Sequence, residues 1–75
     1  MNIEKTFFVN GSKFSCKLNN LLLSSLVEKF LEKKNIEVKK VAVALNQTLI
    51  KKSKWEKTKI HENDRIEIVI PFAGG

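Results

Sequence analysis

The residues of this 75-residue chain best placed for chemistry are its last ones, Ile70-Pro71-Phe72-Ala73-Gly74-Gly75. At average glycine usage, two consecutive glycines close a chain by chance in roughly one case in two hundred. A dipeptide without side chains threads a narrow channel and takes backbone angles closed to other residues. An α-carboxyl group is ionised at neutral pH. The expectation is that Gly75 carries the chemistry and that Phe72, Ala73 and Gly74 form its free reach.

Side-chain chemistry has two other candidates, Cys16 and His61. One cysteine excludes an internal disulfide and a cysteine-based zinc cage within one chain, so no metal site is expected. Cys16 alternates with Phe14 and Leu18, which reads as a small hydrophobe on the inner face of a strand. His61 sits in a charged turn, and nothing in the spacing brings it to Cys16 as base to nucleophile. An enzyme in its own right is therefore not expected.

The formal charge is +6, from thirteen lysines and one arginine against eight acids, and Lys51, Lys52, Lys54, Lys57 and Lys59 crowd one segment. Such a face suits acidic partners or simply keeps a small protein in solution. A nucleic-acid-binding module is the rival from a different class. Base readout favours arginine, and only Arg65 is present; stacking on single strands needs several exposed aromatics, and only Phe8 qualifies. Nucleic acid is not an expected partner.

The elements that must position the tail follow from periodicity. Thr6-Phe7-Phe8-Val9 and Lys13-Phe14-Ser15-Cys16-Lys17-Leu18 flank Asn10-Gly11, a pair suited to a type I′ turn because both positions need positive φ. Phe7 and Val9 share one face of the first strand, and Phe14, Cys16 and Leu18 one face of the second. Phe8 is an aromatic on an otherwise polar face. Leu23, Leu26, Val27, Phe30 and Leu31 then mark one stripe of an α-helix, with Asn19 or Asn20 as its cap, Lys33 and Lys34 in its last turn and Asn35 as a left-handed stop.

Lys40-Val41-Ala42-Val43-Ala44-Leu45 alternates again, large on one side and alanine on the other, and Asn46-Gln47 turns into a brief edge strand, Thr48-Leu49-Ile50. Residues 51–60 are irregular around Trp55, with a helical turn begun at Ser53 and the indole covering the core. Glu62-Asn63-Asp64 is a turn signal. In Arg65-Ile66-Glu67-Ile68-Val69-Ile70 the isoleucines at 66, 68 and 70 point inward, and Pro71 ends strand pairing.

The order β-β-α-β-β-β with one amphipathic helix fits an α+β fold, a small mixed sheet of four to five strands packed on the helix with its first and last strands parallel in the middle. That is the β-grasp plan, with residues 1–75 as one domain and 71–75 as a flexible diglycine tail. The open sheet face would present Ala42, Ala44 and Val69, with Phe8, as a shallow docking patch at the root of the tail. No apolar run approaches the roughly 20 residues a bilayer requires. Met1-Asn2-Ile3-Glu4-Lys5 lacks the features of a secretion signal, so a cytoplasmic monomer is expected.

These residues carry a resemblance. Ala44-Leu45-Asn46, Ser53-x-Trp55-x-x-Thr58, Asp64-Arg65-Ile66-Glu67-Ile68-Val69 and the terminal Gly74-Gly75 resemble the thiamine-biosynthesis sulfur carrier family, ThiS, within the ubiquitin-like β-grasp group. The likeness is specific over 43–75; over 1–42 it rests on element order and the Val9-Asn10-Gly11 turn. Asn63 stands where the family usually has glycine, a residue that also tolerates the left-handed region. Met1 to Lys5 extend the N-terminus, and Pro71-Phe72 is similar to the tail of the related molybdopterin-synthase small subunit, MoaD. The resemblance implies a carrier rather than a catalyst. A ThiF-type enzyme would spend ATP to adenylate Gly75, a sulfur donor protein would convert the adenylate to a thiocarboxylate, and a ThiG-type thiazole synthase would take the sulfur. No cofactor would be bound stably. A MoaD-like carrier for molybdopterin is the alternative, and a ubiquitin-like modifier forming isopeptide bonds would need the same tail.

Overall fold

Asn10 and Gly11 take φ of 50° and 84°, the left-handed pair that a two-residue hairpin turn demands. In the computed structural model, which describes residues 4–17, 20–37 and 41–70, this turn joins β1 (Lys5–Val9) to β2 (Ser12–Cys16) with Phe7 opposite Phe14. Phe7 and Val9 are buried, as alternation requires. Phe14 shares their side of the sheet and stacks on Phe7, ring centroids 6.2 Å apart, yet it is 46% exposed rather than buried. The reason is its position on an edge strand, where the helix covers it from one side only. Cys16 is half-buried against the core, and Leu18 lies outside the described residues.

The helix, α1, spans Leu23–Lys34, and Leu23, Val27 and Leu31 are its buried stripe. Leu26 and Phe30, at the margin of that stripe, are half-buried. The expected asparagine cap is replaced. Asn19 is outside the described residues, and the cap position is held by Leu22, whose side chain cannot bond. One first-turn donor is served by a crossing segment instead: Leu23 N–H donates to Thr58 O at 2.8 Å, while just before the helix Leu21 O accepts from Ile60 N–H at 2.8 Å and Leu22 bridges Lys59. A backbone partner satisfies the orphan groups as well as a side chain would. At the other end Asn35 is left-handed, its N–H bonded to Glu32 O and that of Ile36 to Leu31 O, which is a Schellman stop.

β3 (Ala42–Leu45) turns through Asn46 and Gln47, both at positive φ, into β4 (Thr48–Ile50). A 3-10 helix, Lys52–Lys57, follows and begins one residue before Ser53. It carries Trp55 into the core, where the indole N–H reaches Ile50 O at 3.0 Å. Ile60, from the stretch the sequence leaves irregular, is completely buried. Asn63 at φ 66° makes the turn into β5 (Arg65–Val69), confirming that asparagine takes the glycine-like position. Ile66 and Ile68 are core residues. Ile70 is not: it falls just after the strand and is 39% exposed, since among the described residues no strand continues past Val69 to cover it.

The strand order is β2-β1-β5-β3-β4, with β5 parallel to β1 and antiparallel to β3. This is the α+β, β-grasp arrangement that the element order leads one to expect. The residues of the tail, 71–75, and with them the expectations for Phe72, Ala73, Gly74 and Gly75, lie outside the described residues, as does Lys40.

The parallel pairing of β1 with β5 covers only two residue pairs, Phe8 with Arg65 and Val9 with Ile66. Beyond the end of β1 the ladder is carried on by a side chain. Asn10 N–H donates to Ile66 O at 2.9 Å, Asn10 Oδ1 accepts from Ile68 N–H at 2.8 Å, and Asn10 Nδ2 lies 3.4 Å from Ile68 O. Asn46 does the same on the other flank: its N–H donates to Arg65 O at 2.7 Å, its Oδ1 accepts from Arg65 N–H at 2.9 Å, and its Nδ2 donates to Asp64 Oδ1 at 3.0 Å. Two left-handed asparagines, one from each hairpin turn, thus bracket the central strand.

Asn10→Ala should lose both the left-handed preference and the bond to Ile68, destabilising the fold by about 2–4 kcal/mol. Asn10→Gly keeps the backbone geometry and should cost about half as much. Urea unfolding followed by Trp55 fluorescence measures both, and an alanine variant within about 0.5 kcal/mol of the parent would show that the clamp contributes nothing.

Candidate functional site

With α1 on one face of the sheet, the opposite face is open, and strand register decides which residues meet on it. Antiparallel pairing sets Ala42 opposite Val69 and Ala44 opposite Glu67, and the β3–β4 hairpin adds Leu49 opposite Ala44. Val69 is 54% exposed and Leu49 70%, large apolar side chains that the fold leaves in water. The two alanines between them are half-buried, so the surface there is a low floor with two apolar walls. Val69 and Leu49, with the alanines between them, thus form one contiguous apolar patch on the open face.

Phe8 is on the same face but not in the same place. The parallel register sets it beside Arg65, whose guanidinium lies 4.9 Å from the ring centroid, a cation–π contact. Arg65 and Val69 are four residues apart on β5, about 13 Å along an extended strand, with Glu67 between them. The structure therefore brings Ala42, Ala44 and Val69 together near the tail and puts Phe8 at the far end, in a depression of about 480 Å³ lined also by Asn10, Gly11 and Glu67. Arg65 and Glu67 make the stretch between the two polar and of both signs.

Leu49 is the residue that sequence reasoning misses. The signal was present in the alternation of Thr48-Leu49-Ile50: Ile50 pairs with the fully buried Val43, which sends Leu49 to the open side. Only the register of the hairpin reveals this.

The groups that could do side-chain chemistry are engaged in structure. Asp64 is the one buried ionisable residue among the described ones; its Oδ1 accepts from Asn46 and its Oδ2 accepts from the His61 backbone N–H at 2.6 Å. The His61 ring stands 3.7 Å from that same oxygen with its side chain 73% exposed. Cys16 is on the opposite edge of the fold, on β2, packed against the core. Among the described residues no three His, Cys, Asp or Glu side chains are grouped to hold a metal ion, and no helix is long and apolar enough to cross a membrane. What the face offers is a flat apolar surface of Ala42, Ala44, Val69 and Leu49 on the side of the sheet opposite α1.

Comparison with known proteins bears on the family and the fold. A curated protein of Trieres chinensis, the uncharacterized protein ycf40, is 34% identical over 75 residues, covering 100% of this chain and 96% of its own length. Among solved structures, the thiamine biosynthesis protein ThiS from Geobacter metallireducens superposes with a TM-score of 0.75 at 21% identity, over 93% of this chain and 99% of that one. An archaeal ubiquitin, from Caldiarchaeum subterraneum, reaches 0.61 at 12% identity, over 97% of this chain and 98% of that one. These two likenesses are of fold. The family model for ThiS matches residues 9–75, from the first hairpin turn through the terminal glycines, and the chain belongs to the ThiS family.

Proposed function

We propose that this protein is the sulfur carrier for thiazole formation in thiamine biosynthesis, with the carboxylate of Gly75 as the loading point. The observation that carries the reading is the family match over residues 9–75, which takes in Gly74-Gly75. The pathway fits the chemistry available. In the active site of a ThiF-type enzyme a carboxylate oxygen of Gly75 attacks the α-phosphorus of ATP, pyrophosphate leaves, and the acyl carbon becomes electrophilic. Hydrosulfide released by a donor protein attacks that carbon, the C–O bond to AMP breaks, and AMP and a proton leave to give the thiocarboxylate. A ThiG-type thiazole synthase then receives the sulfur, and the carrier is returned as the carboxylate.

The carrier contributes no catalytic side chain to these steps in this reading. Its part is to be gripped on the open sheet face, through Ala42, Ala44, Val69 and Leu49, so that Phe72, Ala73 and Gly74 run into the partner's channel. Glycine at 74 and 75 keeps that channel narrow, because any Cβ would widen the tail and restrict its angles. The reading has the protein monomeric, cytoplasmic and visiting its partners in turn, with ATP consumed by the activating enzyme and no cofactor of its own. Pro71-Phe72 is the feature it shares with molybdopterin carriers.

Deleting Gly75, or Gly75→Ala, should abolish sulfur loading without changing the urea midpoint. Intact mass after incubation with the activating enzyme, ATP and a sulfur donor reads the sulfur-for-oxygen increment directly, and loading of the deleted protein would overturn the proposal. Loaded carrier offered to a thiazole synthase should turn over, whereas turnover only with the molybdopterin-synthase large subunit would move the protein to that pathway.

Val69→Glu and Leu49→Glu place charge on the seat while leaving the core untouched. Each should weaken association with the activating enzyme by about 10- to 30-fold, as expected for a residue central to an interface. Titration calorimetry against that enzyme, with Ser25→Glu on α1 as a control on the opposite side of the sheet, checks it; unchanged affinity in both variants would remove the face from the interaction.

A further inference from the structure

The other edge of the molecule carries a second surface that the carrier role leaves unused. On the helix side, between β2 and α1, lies a groove of about 210 Å³ lined by Val9, Phe14, Leu26, Phe30, Lys29 and Lys33. Its floor is aromatic and aliphatic. Its rim is positive: Lys29 and Lys33 are one helical turn apart, and neither makes an ion pair among the described residues.

The groove runs beside an open strand edge. β2 is terminal in the sheet, so one of its two edges has no neighbouring strand among the described residues. The β1 amides of Thr6 and Phe8 donate toward the β5 side, to Glu62 Oε1 and Asp64 O. In an antiparallel ladder the intervening residues, Lys5, Phe7 and Val9, then bond to β2, and their partners are Cys16, Phe14 and Ser12. By the same alternation the N–H and C=O of Lys13 and Ser15 point outward from the sheet, available to another strand.

We infer that the β2–α1 edge is a docking site for an extended peptide segment of a partner protein, one with alternating aliphatic residues flanked by acidic residues. Such a segment adds to β2 through the backbone of Lys13 and Ser15. Its alternate side chains enter the groove over Phe14, Leu26 and Phe30, and its acids meet Lys29 and Lys33 with no native counter-charge to displace. Charge complementarity makes the choice of occupant: a second copy of this chain, at +6, would bring like charge to the rim. The site is on the opposite face from Val69 and Leu49, so it stands or falls independently of the sulfur-carrier reading.

The probe is a synthetic nonapeptide of four aliphatic residues, valine and isoleucine in turn, followed by three glutamates, with one glycine and one serine at its ends, titrated into the full-length 15N-labelled protein. Amide shifts should fall on residues 12–16 and 26–33, and hydrogen exchange at Lys13 and Ser15 should slow by at least about tenfold at saturation. The double variant Lys29→Glu, Lys33→Glu should bind about tenfold more weakly or worse. Ser15→Pro removes only an outward donor, so the fold should persist while exchange protection at Lys13 is lost. The inference is overturned by any of three results: no shift at about 2 mM peptide, equal binding of a peptide with lysines in place of glutamates, or the same amides shifting with protein concentration in the absence of peptide, which would assign the edge to self-association.

Discussion

The arrangement depends on holding one strand, β5, in the middle of a sheet whose other strands arrive in two separate hairpins. Neither hairpin pairs with the other; each pairs with β5. The parallel contact is the weaker side, two residue pairs long, and a parallel junction between chain ends distant in sequence forms only after the intervening loop entropy has been lost. The two asparagines compensate by extending pairing with side-chain amides, which present a donor and an acceptor in the spacing of a peptide unit. Both positions require left-handed backbone, and asparagine is the non-glycine residue that satisfies the two demands together.

Centring β5 also fixes what each face of the sheet can be. Ile66 and Ile68 turn toward α1 and close the core with Val43 and Val27, while Arg65, Glu67 and Val69 must then face water. A chain this short buries a modest fraction of its surface and has little stability to spare. That makes the exposure of Val69 and Leu49 informative, because large apolar groups left outside a small core are not used for stability. The same limitation explains the edge at β2: α1 is wide enough to cover the three inner strands, and Phe14 is left half-roofed with Phe30.

Much of this was legible in the residues. Asn10-Gly11, the 3.6-residue stripe from Leu23 to Leu31 and the alternation of β3 and β5 are local signals, and local physics decides them. Asn35 and Asn63 were also readable, since only a few residue types tolerate their backbone angles. Features set by non-local contacts were not. Leu22 as cap, Ile60 as core and the failure of Ile70 to be buried all depend on where residues 58–60 cross the helix start and where the sheet runs out. Phe8 and Val69 have the same alternation signature, and only the parallel register separates them along β5. Leu49 sat in a three-residue strand too short for its faces to be told apart without its partner.

The position of β5 has a mechanical meaning. Its hydrogen bonds to β1, β3, Asn10 and Asn46 lie across the strand axis on both flanks. A pull applied beyond Ile70 along that axis therefore loads all of them together in shear, rather than peeling them one at a time as it would on an edge strand. Tension from the C-terminal side is thus shared along the whole of β5, up to its last residue, Val69.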